Sequence, residues 1–446
     1  MLNLLIAALS PAALGCGGVY IPAQGTGSDL TSDASKLVVA VNDDNAVYTI
    51  APVVGGDVDD FAMIIPVPTL PQADDIQLGS AEVMQFWDTA TQPRFVEESC
   101  TDHTGPTERS CESRDGGEGE GEGEGESASG VDVEGEWVLG DYTLVALSAE
   151  QSSDLLGWLD SEGYAVSPKL DAVLQAWIDD GMYFVAAKIR PDAPLDAQST
   201  LDPLRVRVWS TEVRLPLGAG TVHSTGTQDV LLYVVTDSED RGYANISNYP
   251  GTTLEDDCLW TTDARQDSFA EFYGGWFDAA FAQSDGFLWT QEYSGMYWIE
   301  GEPELDLDWP RNVWSETGLA SDPAAGPFVN RLHLRFTADA VGPDPIVALG
   351  PATNTGALVY YAGPEGIQAY RPVCGVGEVD PGDAACPQPE EPDCPDSQRS
   401  QGDDAAHQSS GCQVVGGAPP LAASLMVLGM LAIGVGRRTD DPTAAE

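Results

Sequence analysis

Lysine is almost missing from this 446-residue sequence: three of its 19 basic residues are lysines, Lys36, Lys169 and Lys188. Against them stand 72 acidic residues, for a formal net charge of -53. So acidic a chain repels a phosphate backbone, which excludes nucleic acid as a partner. Histidine is also scarce, at four residues (His103, His223, His333, His407). No G-x-S-x-G elbow, H-E-x-x-H helix or phosphate-cradling Gly loop occurs, so the sequence offers no catalytic residue, metal ligand or cofactor site. Asp57, Asp59 and Asp60 imitate half of a calcium loop but lack its glycine and distal glutamate. The chain is expected not to be an enzyme and to need no cofactor.

None of the eight cysteines stands in a C-x-x-C pair, which argues against a zinc ribbon or a thioredoxin-like site. In an exported chain, disulfides are the default. Cys100 and Cys111 bracket a short polar loop and form the best local pair. With Cys16 and Cys412 set aside as processing candidates, Cys100, Cys111, Cys258, Cys374, Cys386 and Cys394 remain, and six cysteines pair in about 15 ways.

What is present lies first at the two ends. Residues 1–15 form a short apolar run that closes on small residues before Cys16, in the manner of a signal peptide, although no basic residue precedes it. Ala13-Leu14-Gly15-Cys16 resembles an imperfect lipobox; lipidation of Cys16 and a disulfide role after ordinary cleavage are both open. From Leu421 to Val435 the chain is uncharged and apolar, and with the flanking residues 414–436 it is long enough for a transmembrane helix of about 30 Å. Arg437 and Arg438 follow at once, as a cytoplasmic end requires. The membrane is the expected partner through this anchor. Cys412, Gly416-Gly417, an apolar stretch and Arg437-Arg438 together resemble the tripartite C-terminal sorting signals of myxobacteria and their relatives.

Between the ends, residues 36–41, 46–53 and 61–67 read as strands, with Asn42-Asp43-Asp44-Asn45 as a hairpin turn. Residues 81–89 place Val83, Met84 and Trp87 on one helical face. The Glu-Gly run 118–126 cannot bury apolar surface, which predicts a disordered insertion at about 101–135. Strands are expected again at 142–148, 182–189, 204–209, 230–236 and 331–337. Helices are expected at 150–162, 167–180 (stopped by Gly181) and 268–283. The expected class is α+β: a β-rich domain over 16–347 with several helices and a domain end or linker at 348–371. A disordered acidic, Pro-rich spacer at 372–413, the transmembrane or sorting helix at 414–436 and a tail at 437–446 complete it.

Several motifs carry a family resemblance. Cys16-Gly17-Gly18-Val19-Tyr20, Ala34-Ser35-Lys36, Asp60-Phe61-Ala62 and Ile64-Ile65-Pro66-Val67-Pro68 belong to it, with Thr91-Gln92-Pro93-Arg94-Phe95-Val96 and Gly181-Met182-Tyr183-Phe184-Val185. Lys188 and the run 201–208 before Leu215-Pro216 fit as well. Together they resemble a bacterial envelope family known as domain of unknown function 2330, over about residues 16–347. The resemblance implies fold and location and no reaction.

The aromatic run from Phe272 to Trp298 admits two readings, a glycan-stacking platform or core packing. His333 alternates with Leu332 and Leu334, which predicts a surface-facing side chain. The expected function is an exported, membrane-anchored envelope protein with a structural or interaction role. The alternative is an extracytoplasmic module that binds glycan or a cation.

Overall fold

The structure, a computed structural model, describes residues 19–22, 35–51, 61–98, 135–189, 201–220, 222, 226–260, 269–297, 313–319, 326–363 and 371–379. All of them fall in the first of two compact units, Met1–Pro389. The first stretch supplies β1 (Val19–Pro22), β2 (Ser35–Val41), β3 (Ala46–Ala51), β4 (Phe61–Val67), β5 (Ile76–Leu78), α1 (Ala81–Thr91) and β6 (Arg94–Glu97). Next come β7 (Gly135–Leu139), β8 (Tyr142–Leu147), α2 (Ser152–Ser161), α3 (Pro168–Asp179) and β9 (Tyr183–Ile189). Then follow β10 (Leu204–Val208), β11 (Val213–Arg214), α4 (Leu217–Gly220), β12 (Thr227–Thr236), β13 (Tyr243–Ile246) and β14 (Cys258–Trp260). The last stretch holds α5 (Phe269–Phe281), β15 (Phe287–Met296), α6 (Val313–Thr317), β16 (Phe328–Thr337), β17 (Ile346–Gly350), β18 (Gly356–Ala357) and β19 (Val359–Ala362).

The class is mixed α+β and strand-rich. A five-stranded antiparallel sheet, ordered β1-β4-β9-β8-β7, faces an eight-stranded sheet ordered β18-β15-β16-β12-β2-β3-β10-β5. Within the larger sheet only the β12–β2 pair is parallel. The main core lies between the sheets: Phe61, Met63 and Ile65 of β4 meet Leu37 and Val39 of β2 and Leu332, Leu334 and Phe336 of β16. The opposite faces are covered too. Ala62, Ile64 and Phe184 pack under Leu155, Leu159, Leu170 and Leu174 of α2 and α3, while Val38, Ala40 and Tyr233 pack under Val83, Met84 and Trp87 of α1. The layers run helix, sheet, sheet, helix.

Burial on both faces explains why β2 and β4 read as near-continuous apolar runs rather than alternating ones. In α1 the apolar positions recur at helical spacing, and Ser80 caps the helix by accepting the Val83 amide at 3.2 Å. Trp87, fully buried, donates its indole N–H to Thr317 Oγ1 at 2.9 Å, which joins α1 to α6. Gly181, at φ 77°, takes the left-handed conformation that ends α3. The Asn42–Asn45 turn closes β2 onto β3, with the Asn42 amide donating to the Asn45 carbonyl at 2.9 Å.

The body continues through β17, β18 and β19, into the stretch 348–371 that the sequence left open as a domain end or a linker. Strand β19 lies between β14 and β6 in a small sheet, and Cys374 is disulfide-bonded to Cys258 of β14. Pro372 accepts the Leu259 amide at 2.7 Å, so 371–379 is part of the body rather than the start of a spacer. The predicted membrane segment at 414–436 and the Glu-Gly run lie outside the described residues. Among the described residues no helix is long and apolar enough to cross a membrane.

Candidate functional site

Two features of the body concentrate polar chemistry: a buried ionic chain on the outer face of the large sheet, and an apolar cleft at one end of the inter-sheet core.

The ionic chain follows from strand alternation. Leu332, Leu334 and Phe336 point into the main core, which turns Arg331, His333 and Arg335 to the outer face. On β12 the same logic presents Asp229 and Tyr233, and on β2 it presents Lys36. Strand β15 adds Glu292 at a register shift: Gln291 pairs with Leu332 and Tyr293 with Arg331, leaving Glu292 as the extra residue. Such a bulge puts Glu292 and Tyr293 on the same face. Helices α1 and α5 close over this surface and contribute Asp88, Tyr273, Phe277 and Asp278.

The contacts form a continuous chain. Lys36 and Tyr233 both donate to the Asp88 carboxylate, the Tyr233 hydroxyl at 2.7 Å. Arg331 Nη1 reaches the Asp88 carboxylate and its carbonyl at 2.8 Å each, and Arg331 Nε donates to Glu292 Oε2 at 2.5 Å. Glu292 Oε1 accepts from Tyr273 at 2.5 Å and from His333 Nδ1 at 2.8 Å. His333 Nε2 meets Asp229 Oδ1 at 2.8 Å, Arg335 Nε donates to the same oxygen at 2.7 Å, and Arg335 ends the chain on Asp278. Four cations face four carboxylates. Glu292 is 1% exposed, Arg331 6% and His333 7%.

His333 is therefore not surface-facing, as strand alternation alone suggested. It does point away from the main core, but the Phe277 ring of α5 stacks on it at 4.0 Å. Burial works against the imidazolium, yet Glu292 and Asp229 on its two nitrogens outweigh it and raise the pKa above 6.5. Burial likewise opposes the Glu292 carboxylate, and Arg331 and His333 override it, holding the carboxyl down to about 2.

This arrangement fastens α1 and α5 to the sheet. Thr290 pairs with His333 across β15 and β16, and a hydroxyl beside an imidazole beside a carboxylate invites comparison with a catalytic triad. Both imidazole nitrogens are engaged by carboxylates, so in its protonated form His333 donates to both and has no lone pair with which to accept a proton. The Thr290 hydroxyl is buried and has no hydrogen-bond partner among the described residues. With His333 protonated, the chain is a charge-neutral clamp holding α1 and α5 to the sheet.

The clamp has a pH signature. His333, with its raised folded pKa, contributes stability in full below its unfolded value of 6.5 and loses it as pH rises through the folded value. Glu292, depressed to about 2 from 4.5, contributes in full above 4.5 and loses it as pH falls toward 2. Both contributions are complete between about pH 4.5 and 6.5. The difference in Tm between wild type and His333→Gln should be largest there and shrink at alkaline pH. A difference that stays constant from pH 5 to pH 9 would contradict the assignment.

The cleft opens where β3 and β10 of the large sheet approach β4 of the small one. Tyr48, Ile50, Ile65, Val67, Val206 and Val208 form its walls, with Trp177 of α3 beside them, around about 50 Å3 of interior space. Its polar groups are Ser210, Glu212, Arg214 and Asp344. Arg214 is committed to Glu212 at 2.6 Å and Asp180 at 2.8 Å. Asp344 accepts from the Trp177 indole at 2.6 Å and from the Gly218 amide at 3.2 Å. Burial raises its carboxyl pKa above 3.8, against the pull of those two donors.

The aromatic run divides between core and helix layer. Phe277, Phe287, Trp289, Tyr293 and Tyr297 are buried. Phe272 and Trp276, both half-buried on α5, stack with each other, and Phe272 also stacks on Trp260. Trp298 lies outside the described residues. Among the described residues no group of three or more His, Cys, Asp or Glu side chains has metal-holding geometry, and Asp57, Asp59 and Asp60 fall outside them. Of the cysteines, Cys258 and Cys374 are joined. Cys16, Cys100, Cys111, Cys386, Cys394 and Cys412, with Leu421, Val435, Arg437 and Arg438, lie outside the described residues, as do His103, His223 and His407. Sequence reasoning missed Asp88, Asp229, Glu292 and Arg331. The one legible trace was charge at every second position, Arg331-x-His333-x-Arg335, inside a strand otherwise built of Leu and Phe.

A family model described as "Uncharacterized protein conserved in bacteria (DUF2330)" matches residues 10–290. No curated protein matches the chain. A solved structure titled as the crystal structure of baculovirus P35 aligns with 7% identity over 74% of this chain and 98% of that one, at a TM-score of 0.28. That similarity is too low to bear on fold or function.

Proposed function

The chain belongs to the DUF2330 family of uncharacterized proteins conserved in bacteria, and from that premise we propose that it is an exported envelope protein with a structural or interaction role and no catalytic one. The Cys258–Cys374 disulfide carries the reading. Cytosolic thiols are kept reduced, whereas a bond that ties β14 to the end of the body suits an oxidising compartment. Two features support it. The first described strand begins at Val19, three residues after Cys16 and downstream of the segment that resembles a signal peptide. The uncharged stretch 414–436 before Arg437 and Arg438 has the length and flank of an anchor or a sorting helix. The absence of catalysis rests on the clamp, whose buried acids, bases and His333 are already spent on one another.

The test is fractionation of the native cell with mass spectrometry of both mature termini and thiol labelling before and after reduction. The expected product sits in the envelope fraction, lacks residues 1–15, and releases the Cys258 and Cys374 thiols only on reduction. Lipid on Cys16 separates the lipoprotein route from ordinary cleavage. A full-length, reduced product in the cytosol would falsify the proposal.

A further inference from the structure

We propose that the cleft between β3, β4 and β10 is a binding site for a small primary ammonium that carries a compact apolar chain. The inference stands on the cleft alone and does not depend on where the protein resides.

The shape selects the apolar part. Ile50, Ile65, Val67, Val206 and Val208 are at most 4% exposed, so the inner walls are aliphatic and dry. The interior space of about 50 Å3 corresponds to roughly three to five solvent-sized positions, enough for a branched chain of about five carbons. Pockets of this construction, an apolar body with a few converging polar groups, are the usual form of small-molecule sites.

The polar groups select the sign of the head. One cation, Arg214, stands among three carboxylates: Glu212, Asp180 and Asp344. Its guanidinium already serves two of them, so an anionic ligand finds one engaged cation and an excess of negative charge. An ammonium brings three donors and no acceptor, and carboxylate oxygens keep spare lone pairs after the contacts described. Asp344 is the deeper carboxylate, held by Trp177 and Gly218 in a place where burial disfavours its charge. A cation beside it relieves that cost. Glu212 is the outer one, on the solvent side.

The experiment is titration calorimetry on the full chain at physiological salt, with three near-isosteric probes: 3-methylbutylammonium, 3-methylbutanol and 4-methylpentanoate. The ammonium should bind at least about tenfold more tightly than the alcohol, with no measurable heat from the carboxylate, as one added charge-assisted contact requires. Val208→Phe, which fills the cleft, should abolish ammonium binding. If that variant does not fold, Glu212→Gln decides instead: it should weaken the ammonium several-fold and leave the alcohol unchanged. Equal affinity for ammonium and alcohol overturns the proposal. So does ammonium binding that survives either substitution at full strength, since that is general attraction to a chain of net charge -53. No binding of any probe makes the cleft a packing void.

Discussion

Replacing Arg331 with methionine should lower the unfolding free energy by about 3–5 kcal/mol, the cost of removing one partner from a buried ion pair. The reason is what remains. Glu292 is almost sealed from water, and Asp88 is side-chain exposed by only 19%. Without Arg331 both keep their desolvation cost; Glu292 loses its nearest cation, and Asp88 is left with Lys36 alone of its two. Arg331→Met should also loosen α1 selectively, because Arg331 grips both the carboxylate and the carbonyl of Asp88. Urea denaturation followed by tryptophan emission measures the loss. Arg207→Met is the control: the Arg207 side chain is 40% exposed and 4.0 Å from Asp75. That buried carboxylate keeps the Gln72 amide and the Trp209 indole as donors, so the loss of Arg207 should cost at most about 1 kcal/mol. The double variant Arg331→Met/Glu292→Gln should recover part of the deficit, since an uncharged amide is cheaper to bury than an unmatched carboxylate. If Arg331→Met costs no more than Arg207→Met, the chain is not a clamp.

The second large effect concerns the disulfide. It closes a loop with a sequence separation of 116, and cross-links over loops of that size stabilise by about 2–5 kcal/mol, chiefly by limiting the unfolded chain. Cys258→Ser/Cys374→Ser should therefore lower Tm markedly. The loss should begin locally. Leu259 and Val373 form a small cluster with Tyr361, and Arg371 stacks on Tyr361 while pairing with Glu98 at 2.8 Å. That cluster is small, so amides of β14 and β19 should exchange early once the link is cut, while those of β12 and β16 stay protected. Wild-type protein whose Tm does not move on reduction, with both thiols alkylated beforehand, would show that the link does not form.

Local pattern accounts for much of what could be read from the residues. The strands at β2, β4 and β9 and the helices α1 and α3 were legible because each has enough residues to show a period or a cap. Strand β1 was missed, being four residues long and flanked by Gly17-Gly18 before it. Strand β15 was hidden in the aromatic run. Its bulge at Glu292 breaks the two-residue alternation, so Leu288, Thr290, Glu292 and Tyr293 do not read as one face. The disulfide partner of Cys258 was one of many choices, because pairing depends on which strands become neighbours and spacing does not encode that.

The sequence by itself determined the acidity, the strand-rich α+β class, the bacterial family and the stretch at 414–436 on which an envelope location is proposed. These follow from composition, short-range periodicity and local motifs, which any window of a few tens of residues contains. Only the tertiary structure decided that His333 is buried, that Glu292, Asp88 and Asp229 share one clamp with it, and that Cys258 meets Cys374. Alternation tells which face of a strand a residue takes, but what covers that face comes from elements separated by as many as 243 positions, as between Arg331 and Asp88.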